Sequence, residues 1–294
     1  MKIAVMGAGA VGCYYGAMLA LAGHQVTLIG RPALVEAVSA NGLILEKAGA
    51  RHVCAVQAST DPSAITGAQM VLFCVKSGDT AAAGAQIAPY LGDDTLLLSL
   101  QNGISNPETL EHATDHKAIA AVVYMASAMV APGVVRHEGR GELAIGGPDA
   151  TRAAETLNAA QIQTEVSANV MGLLWGKLLI NCAYNAISAI ARMPYGTFYA
   201  VDGLPQLIED ITAECLAVAR AEGVTLPEGT LQTIRNVPGW MPAQYSSTAQ
   251  DVMRGRPTEI DFLNGEILRR AARHGIDVPI NRTLTLLTKL AEMQ

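Results

Sequence analysis

The sequence predicts a two-part α/β protein, a doubly wound parallel sheet followed by an all-helical region. Three observations carry this. Roughly the first thirty residues read as strand, glycine-rich turn, helix, strand. Two later runs, 70–75 (MVLFCV) and 95–100 (TLLLSL), are almost wholly apolar without alternation, as parallel strands covered on both faces require. Beyond about residue 167 the apolar spacing is helical to the end.

Lys2 to Met6 is a short apolar run that leads into GAGAVG. CYYGAMLALAGH then has helical spacing and ends at Gly23, and Gln25 to Ile29 is a second run rich in β-branched residues. This is the βαβ unit of a Rossmann-type dinucleotide fold. Strand and helix alternate to about residue 125. From 126 to 147 the chain reads as glycine-punctuated extended segments (PGVVRHEGRGELAIGGP), expected as an antiparallel addition at the sheet edge. A long apolar helix over 166–191 opens the second part, and helical patterns follow at 204–222, 248–253, 259–274 and 283–293. The switch in pattern divides the chain into 1–167, the nucleotide-binding domain, and 168–294, the helical substrate and catalytic domain.

The 294 residues exceed what one core usually organises. Half of them are hydrophobic, which excludes a disordered chain. The net charge of −6 arises from 26 acids and 20 bases without a long run of either sign, and attracts neither nucleic acid nor an anionic membrane. Five scattered cysteines with no CxxC pair read as small buried hydrophobes in a reducing compartment. The apolar N-terminus runs into a glycine motif rather than a cleavage site, so a cytoplasmic location is expected. The 166–191 segment is long enough to span a bilayer, but Lys177, Asn181 and Asn185 make insertion costly and no second span accompanies it. It is expected to be a core helix.

Gly7, Gly9 and Gly12 form GxGxxG between a strand and a helix, with Ala8, Ala10 and Val11 completing the loop. The first glycine permits the tight turn, the second lets backbone approach a pyrophosphate, and the third lets helix and strand pack closely. At the end of the second strand the chain reads Ile29-Gly30-Arg31-Pro32. No carboxylate stands there to repel a 2′-phosphate, and Arg31 offers a charged fork to hold one, so NADPH is the expected cofactor. Lys76 and Asn102 follow the apolar runs, at the carboxyl edge where open α/β sheets bind ligands. His112 and His116 lack the glutamate and third ligand of a metal site, and no metal is expected.

Lys177, Asn181 and Asn185 recur at intervals of four within an apolar helix. Each step of four advances only about 40° around the axis, so the three polar groups form one stripe rising about 12 Å. A buried charge must be paired or face a wet cleft. A lysine there can donate a proton to the oxyanion formed when a nicotinamide reduces a carbonyl, and amides can bind the substrate's oxygens. Farther on, Ser247 with Gln250 matches a capping box, and Thr258 with Asp261 is a similar helix start. Both Ser247 and Glu259 would then stand at helix beginnings, where a substrate carboxylate is favoured.

GAGAVGCYYGAMLALAGHQVTLIGR, the CVKS and QNG segments, WGKLLINCAYNAISAI and SSTAQDVMRGRPTEIDFLNGEILRRAARHGIDVP together resemble the ketopantoate reductase (2-dehydropantoate 2-reductase) family, in order from the first strand to the last helix. The resemblance implies NADPH-dependent reduction of 2-dehydropantoate to (R)-pantoate on the route to pantothenate and coenzyme A. It implies a Rossmann domain, a helical domain and catalysis in the cleft between them. By motif, the general-acid lysine falls on Lys177 and the pocket glutamate on Glu259. The substrate-binding asparagines fall on Asn181 and Asn185, the pocket serine on Ser247, the cleft lysine and asparagine on Lys76 and Asn102, and the 2′-phosphate arginine on Arg31. One position departs: Pro194-Tyr195-Gly196 stands where the family has Pro-Asn-Gly, which alters the substrate pocket. The expected partner is a small-molecule 2-oxo acid, with a homodimer as the assembly to consider. Two competing readings are a reductase of another 2-oxo acid and a dinucleotide-binding regulator without catalysis; the second has no need of a proton donor.

Overall fold

A computed structural model describes residues 1–294. The chain divides into two compact units: one comprises residues 1–101 and 105–170, the other 102–104 and 171–294.

The first unit is built on a ten-stranded sheet: β1 (Lys2–Met6), β2 (Gln25–Ile29), β3 (Leu43–Lys47), β4 (Ala50–Cys54), β5 (Gln57–Ser59), β6 (Met70–Phe73), β7 (Leu96–Ser99), β8 (Ala118–Ala131), β9 (Val134–Gly146) and β10 (Thr164–Val166). Five helices accompany it: α1 (Ala10–Leu21), α2 (Pro32–Asn41), α3 (Thr80–Ile87), α4 (Asn106–Thr114) and α5 (Ala150–Ala159). Six neighbouring strands, β5-β2-β1-β6-β7-β8, are parallel, the order of a doubly wound nucleotide-binding sheet. Both faces are covered. Ile3 and Val5 belong to one apolar cluster with Tyr15 and Leu19 of α1, whereas Ala4 and Met6 belong to another with Ile87 and Leu110 of α3 and α4. That two-sided burial is why these strands carry unbroken apolar runs.

The segment expected at the sheet edge is instead interior. β8 begins as the sixth parallel strand, buried from Ala118 to Val123, then continues into an antiparallel pairing with β9. The edge beyond β9 is formed by the β3–β4 hairpin, with β3 parallel to β9. The hairpin turns at Ala48 and Gly49, both at positive φ (51° and 78°), the conformation of a tight hairpin turn. His112 and His116 do not share a helix: α4 ends at Thr114, Asp115 is left-handed, and the His116 ring pairs with the Thr95 carbonyl oxygen at 2.7 Å.

The second unit is helical: α6 (Val170–Ala191), α7 (Tyr195–Tyr199), α8 (Leu204–Ala221), α9 (Thr230–Trp240), α10 (Ser247–Met253), α11 (Asn264–His274) and α12 (Pro279–Ala291). Over its most apolar stretch α6 is 67% buried, as a core helix must be. The Tyr184 hydroxyl donates to the Ile234 carbonyl of α9 at 2.7 Å. Asn264 donates to the Cys182 carbonyl at 3.1 Å and to Asn281 Oδ1 at 2.9 Å, tying α6 to α11 and α12. The Glu214 carboxylate accepts from the backbone N–H groups of Ile280 and Asn281, both at 2.9 Å, and so caps α12 from α8.

Two helix starts differ from expectation. The cap of α10 is Ser246, whose hydroxyl accepts from the Ala249 N–H at 2.9 Å and donates to the Asn185 carbonyl at 3.1 Å; Ser247 is the exposed first helical residue. Adjacent serines offer the same signal, and burial selects the first. The helix expected over 259–274 is broken: Ile260–Phe262 is a single 3-10 turn, and Leu263 (φ −112°, ψ −102°) interrupts it before α11. The Thr258 hydroxyl accepts from the Ile260 N–H at 3.2 Å and also bonds the Glu292 carboxylate. Ser246→Ala is expected to lower unfolding stability by about 1–2 kcal/mol. Ser247→Ala should stay within about 0.5 kcal/mol. Urea denaturation midpoints check both.

Candidate active site

The glycine loop is fixed on both flanks. The N–H groups of Gly7 and Ala8 donate to the Ile29 carbonyl at 3.1 and 3.0 Å, joining the loop to the end of β2. Gly7 has a φ of +99°, and a Cβ there would lie 2.6 Å from the Val75 nitrogen and 2.7 Å from the Cys74 carbonyl carbon. The chain leaving β6 therefore crosses directly against Gly7. A Cβ on Gly12 would strike the Gly7 carbonyl oxygen and come within 2.7 Å of Val5 Cγ1. Gly7 and Gly12 are thus demanded by packing. Gly9 is not: a Cβ there meets nothing within 4 Å, and its φ of −85° suits any residue.

α1 starts at Gly9 with no side-chain cap and no acid in its first turn. Its leading N–H groups are the natural seat of a phosphate. Uncapped donors beside a glycine that the protein itself does not require fit a dinucleotide pyrophosphate. Ala10 and Val11 form the first turn, partly exposed. Arg31 caps α2 just beyond β2 and is exposed; a Cβ on its neighbour Gly30 would lie 3.0 Å from Ala8 Cβ, so this strand end abuts the loop. Lys76, exposed, follows β6 directly after the Val75 that packs on Gly7. Arg31 and Lys76 therefore leave strands on either side of β1, at the point where the order of the parallel strands reverses. Burial pushes the Cys13 thiol up to about 12 and raises Cys74 further, so both stay neutral and serve as packing.

A buried polar network supports this edge, and the sequence reading missed it. The Gln101 amide donates to the Val75 carbonyl at 3.1 Å and to Thr80 Oγ1 at 2.7 Å, while its own oxygen accepts from Ser99 Oγ at 3.1 Å. Thr80 donates to Asn106 Oδ1 at 2.9 Å, and Asn106 donates to Ser77 Oγ at 3.1 Å. These links lock the chain leaving β6 to the chain leaving β7. The available signal was a set of polar residues closing two apolar strands, but their pairing is non-local.

In the second unit, Lys177 Nζ donates to Asn102 Oδ1 at 3.0 Å, and both residues are partly exposed. The QNG turn places that amide, with Gly103 at a φ of +96°. One turn farther along α6, Asn181 is partly exposed; Asn185 is 3% exposed and accepts from the Tyr195 hydroxyl at 3.3 Å. Glu259 opens the 3-10 turn and is partly exposed, and Ser247 opens α10. The geometry thus joins Gly7–Gly12 with Arg31 and Lys76 in the first unit, and Lys177 with Asn102 in the second. Ser247 is not joined to Asn185; its neighbour Ser246 holds that place.

Ketopantoate reductase PanE/ApbA matches residues 3–150, and its C-terminal domain matches residues 169–292. The chain belongs to the ketopantoate reductase family. Similar members of this family include the 2-dehydropantoate 2-reductase of Halobacterium salinarum, 34% identical with 99% of each chain covered, and that of Pyrococcus horikoshii, 33% identical over 99% of this chain and 98% of the relative. A ketopantoate reductase family structure from Ralstonia eutropha is 51% identical, covers 100% of this chain and 99% of that one, and superposes with a TM-score of 0.97. A D-mandelate dehydrogenase solved with NADH and anilino(oxo)acetate shares the fold at 24% identity, with a TM-score of 0.93 over 100% of this chain and 99% of that one.

Gly9→Ala is expected to leave the melting temperature of this ketopantoate reductase family member unchanged while weakening nicotinamide dinucleotide binding, because the new methyl meets no protein atom within 4 Å. Gly12→Ala should instead destabilise the fold by about 1–3 kcal/mol through overpacking. Fluorescence titrations of NADH and NADPH and thermal melts separate the two.

Proposed function

We propose that the chain is an NADPH-dependent 2-dehydropantoate 2-reductase that produces (R)-pantoate. The observation that carries this is the Lys177–Asn102 contact: a partly buried ammonium on the polar stripe of α6, held by the amide of the QNG turn. A binding protein without catalysis has no use for such a group. The domain division at 167/168, into a nucleotide-binding and a catalytic part, belongs to the same reading, as do a 2-oxo acid as the small-molecule partner and a cytoplasmic location. Five free cysteines support that location.

Bound NADPH would supply the hydride. Lys177 would give its proton to the oxygen of the former ketone, and Asn102 would aim the ammonium. Glu259 would orient Lys177 or bind a substrate hydroxyl. Asn181, Asn185 and Ser247 would fix the substrate. The N–H groups at the start of α1 would bind pyrophosphate, Lys76 would contact the cofactor, and Arg31 would pair with the 2′-phosphate. One observation favours a second reading. Tyr195, where the family pattern has asparagine, packs its ring against Tyr184 (5.3 Å) and Phe198 (6.1 Å) and presents a hydroxyl to Asn185 in place of an amide, a change that favours another 2-oxo acid. Specificity constants for 2-dehydropantoate against other 2-oxo acids decide between the two.

The primary test is the loss of NADPH absorbance on adding 2-dehydropantoate; no loss with any 2-oxo acid overturns the enzyme reading. Lys177→Ala is expected to lower kcat by about 10²–10⁴-fold, as for loss of a general acid, with the NADPH Kd unchanged. Arg31→Ala should reduce the preference for NADPH over NADH by about 10–100-fold, the worth of a charge-assisted hydrogen bond. Kd values for both cofactors check it.

A further inference from the structure

Tyr195 is held by its backbone as well as by its ring. Its N–H donates to the Gln244 carbonyl at 2.9 Å, and the Gly196 N–H donates to the Pro242 carbonyl at 2.9 Å. A Cβ on Gly196 would lie 2.8 Å from Pro242 Cβ, so the turn is clamped against the strand of chain that leads into α10. The ring is 7% exposed and lies tilted on Tyr184 and edge-on to Phe198. Burial raises its phenol above the usual range, so the hydroxyl keeps its proton and needs an acceptor. The acceptor it finds is Asn185 Oδ1.

That choice has a chemical consequence for Asn185. The two ends of an amide have opposite character, one accepting and the other donating. The main chain of Asn185 is held as well, its carbonyl accepting from the capping hydroxyl of Ser246 at 3.1 Å. With backbone fixed and Oδ1 turned toward the phenol, the end that remains is the NH2 group. We propose that Tyr195 is a positioning residue: it fixes the Asn185 amide with NH2 as its free end, making Asn185 a hydrogen-bond donor that selects 2-oxo acids presenting an acceptor oxygen there, from a carboxylate, ketone or hydroxyl. This rests on the reading of Asn185 as a substrate ligand.

Tyr195→Phe removes the hydroxyl and keeps the ring. At 3.3 Å the bond is long for O–H···O, so the effect is that of one modest hydrogen bond. KM for 2-dehydropantoate should rise about 3–10-fold, with kcat and the NADPH Kd unchanged within about twofold. In an Asn185→Ala background the same change should leave KM unaltered, because the effect travels through the amide. The side-chain 15N–H2 resonances of Asn185, recorded without ligand, should shift and exchange faster with water in Tyr195→Phe. An unchanged Asn185 signal, an unchanged KM, or an equal rise in KM in the Asn185→Ala background each overturns the proposal. If the unaltered protein turns over no 2-oxo acid, the substrate reading fails separately, and the Asn185 resonances alone decide the Tyr195 contact.

Discussion

A buried helix that carries polar side chains stays in place only if its neighbours supply partners for them, since each unpaired buried polar group costs about 1–3 kcal/mol. α6 meets this demand along its length. Lys177 is met by Asn102, the Cys182 carbonyl by Asn264, the Asn185 amide by Tyr195 and the Asn185 carbonyl by Ser246. The partners come from four separate stretches of chain, so satisfying one helix fixes the placement of the QNG turn, α7, α10 and α11 together. The stripe proposed to serve chemistry is therefore also the organiser of the helical unit.

The glycine loop divides its duties differently. Gly7 and Gly12 answer to the protein, because β6 and β1 approach them too closely for any side chain. Gly9 is under no such constraint, since a Cβ there meets nothing within 4 Å. One short motif thus contains glycines that packing demands and a glycine that packing leaves free. Beneath it, the Gln101 amide ties the ends of β6 and β7 together through Ser99, Thr80 and the Val75 carbonyl.

Much of the parallel sheet was legible because its signal is local. β1 and β2 match the apolar runs residue for residue, and the doubly wound class follows from them. The runs at 70–75 and 95–100 extend past the observed strands, because Cys74 and Leu100 still donate to the neighbouring Met6 and Phe73 carbonyls at 2.7 and 2.9 Å, and Cys74 and Val75 lie against Gly7. The β3–β4 hairpin was invisible: its partner β9 lies far along the chain, and register between distant strands leaves no periodic trace. α9 was missed for a related reason, because Pro238 inside it reads as a breaker. At the candidate site the glycine loop and the stripe were readable from spacing. Ser246 was not separable from Ser247, and the Tyr195–Asn185 contact spans a helix end that spacing does not describe.

β3 has a bearing on how the chain is made. Its sheet neighbour on the inner side is β9, with Ile44 opposite Val134 and Glu46 paired to Arg136. As the polypeptide emerges from the ribosome, the β3–β4 ribbon is complete long before its docking strand exists. An isolated two-stranded ribbon is marginal in water, so it must wait with an open edge. Docking of this ribbon therefore waits for the β8–β9 hairpin, and a nascent chain that ends before it exposes an unpaired strand edge.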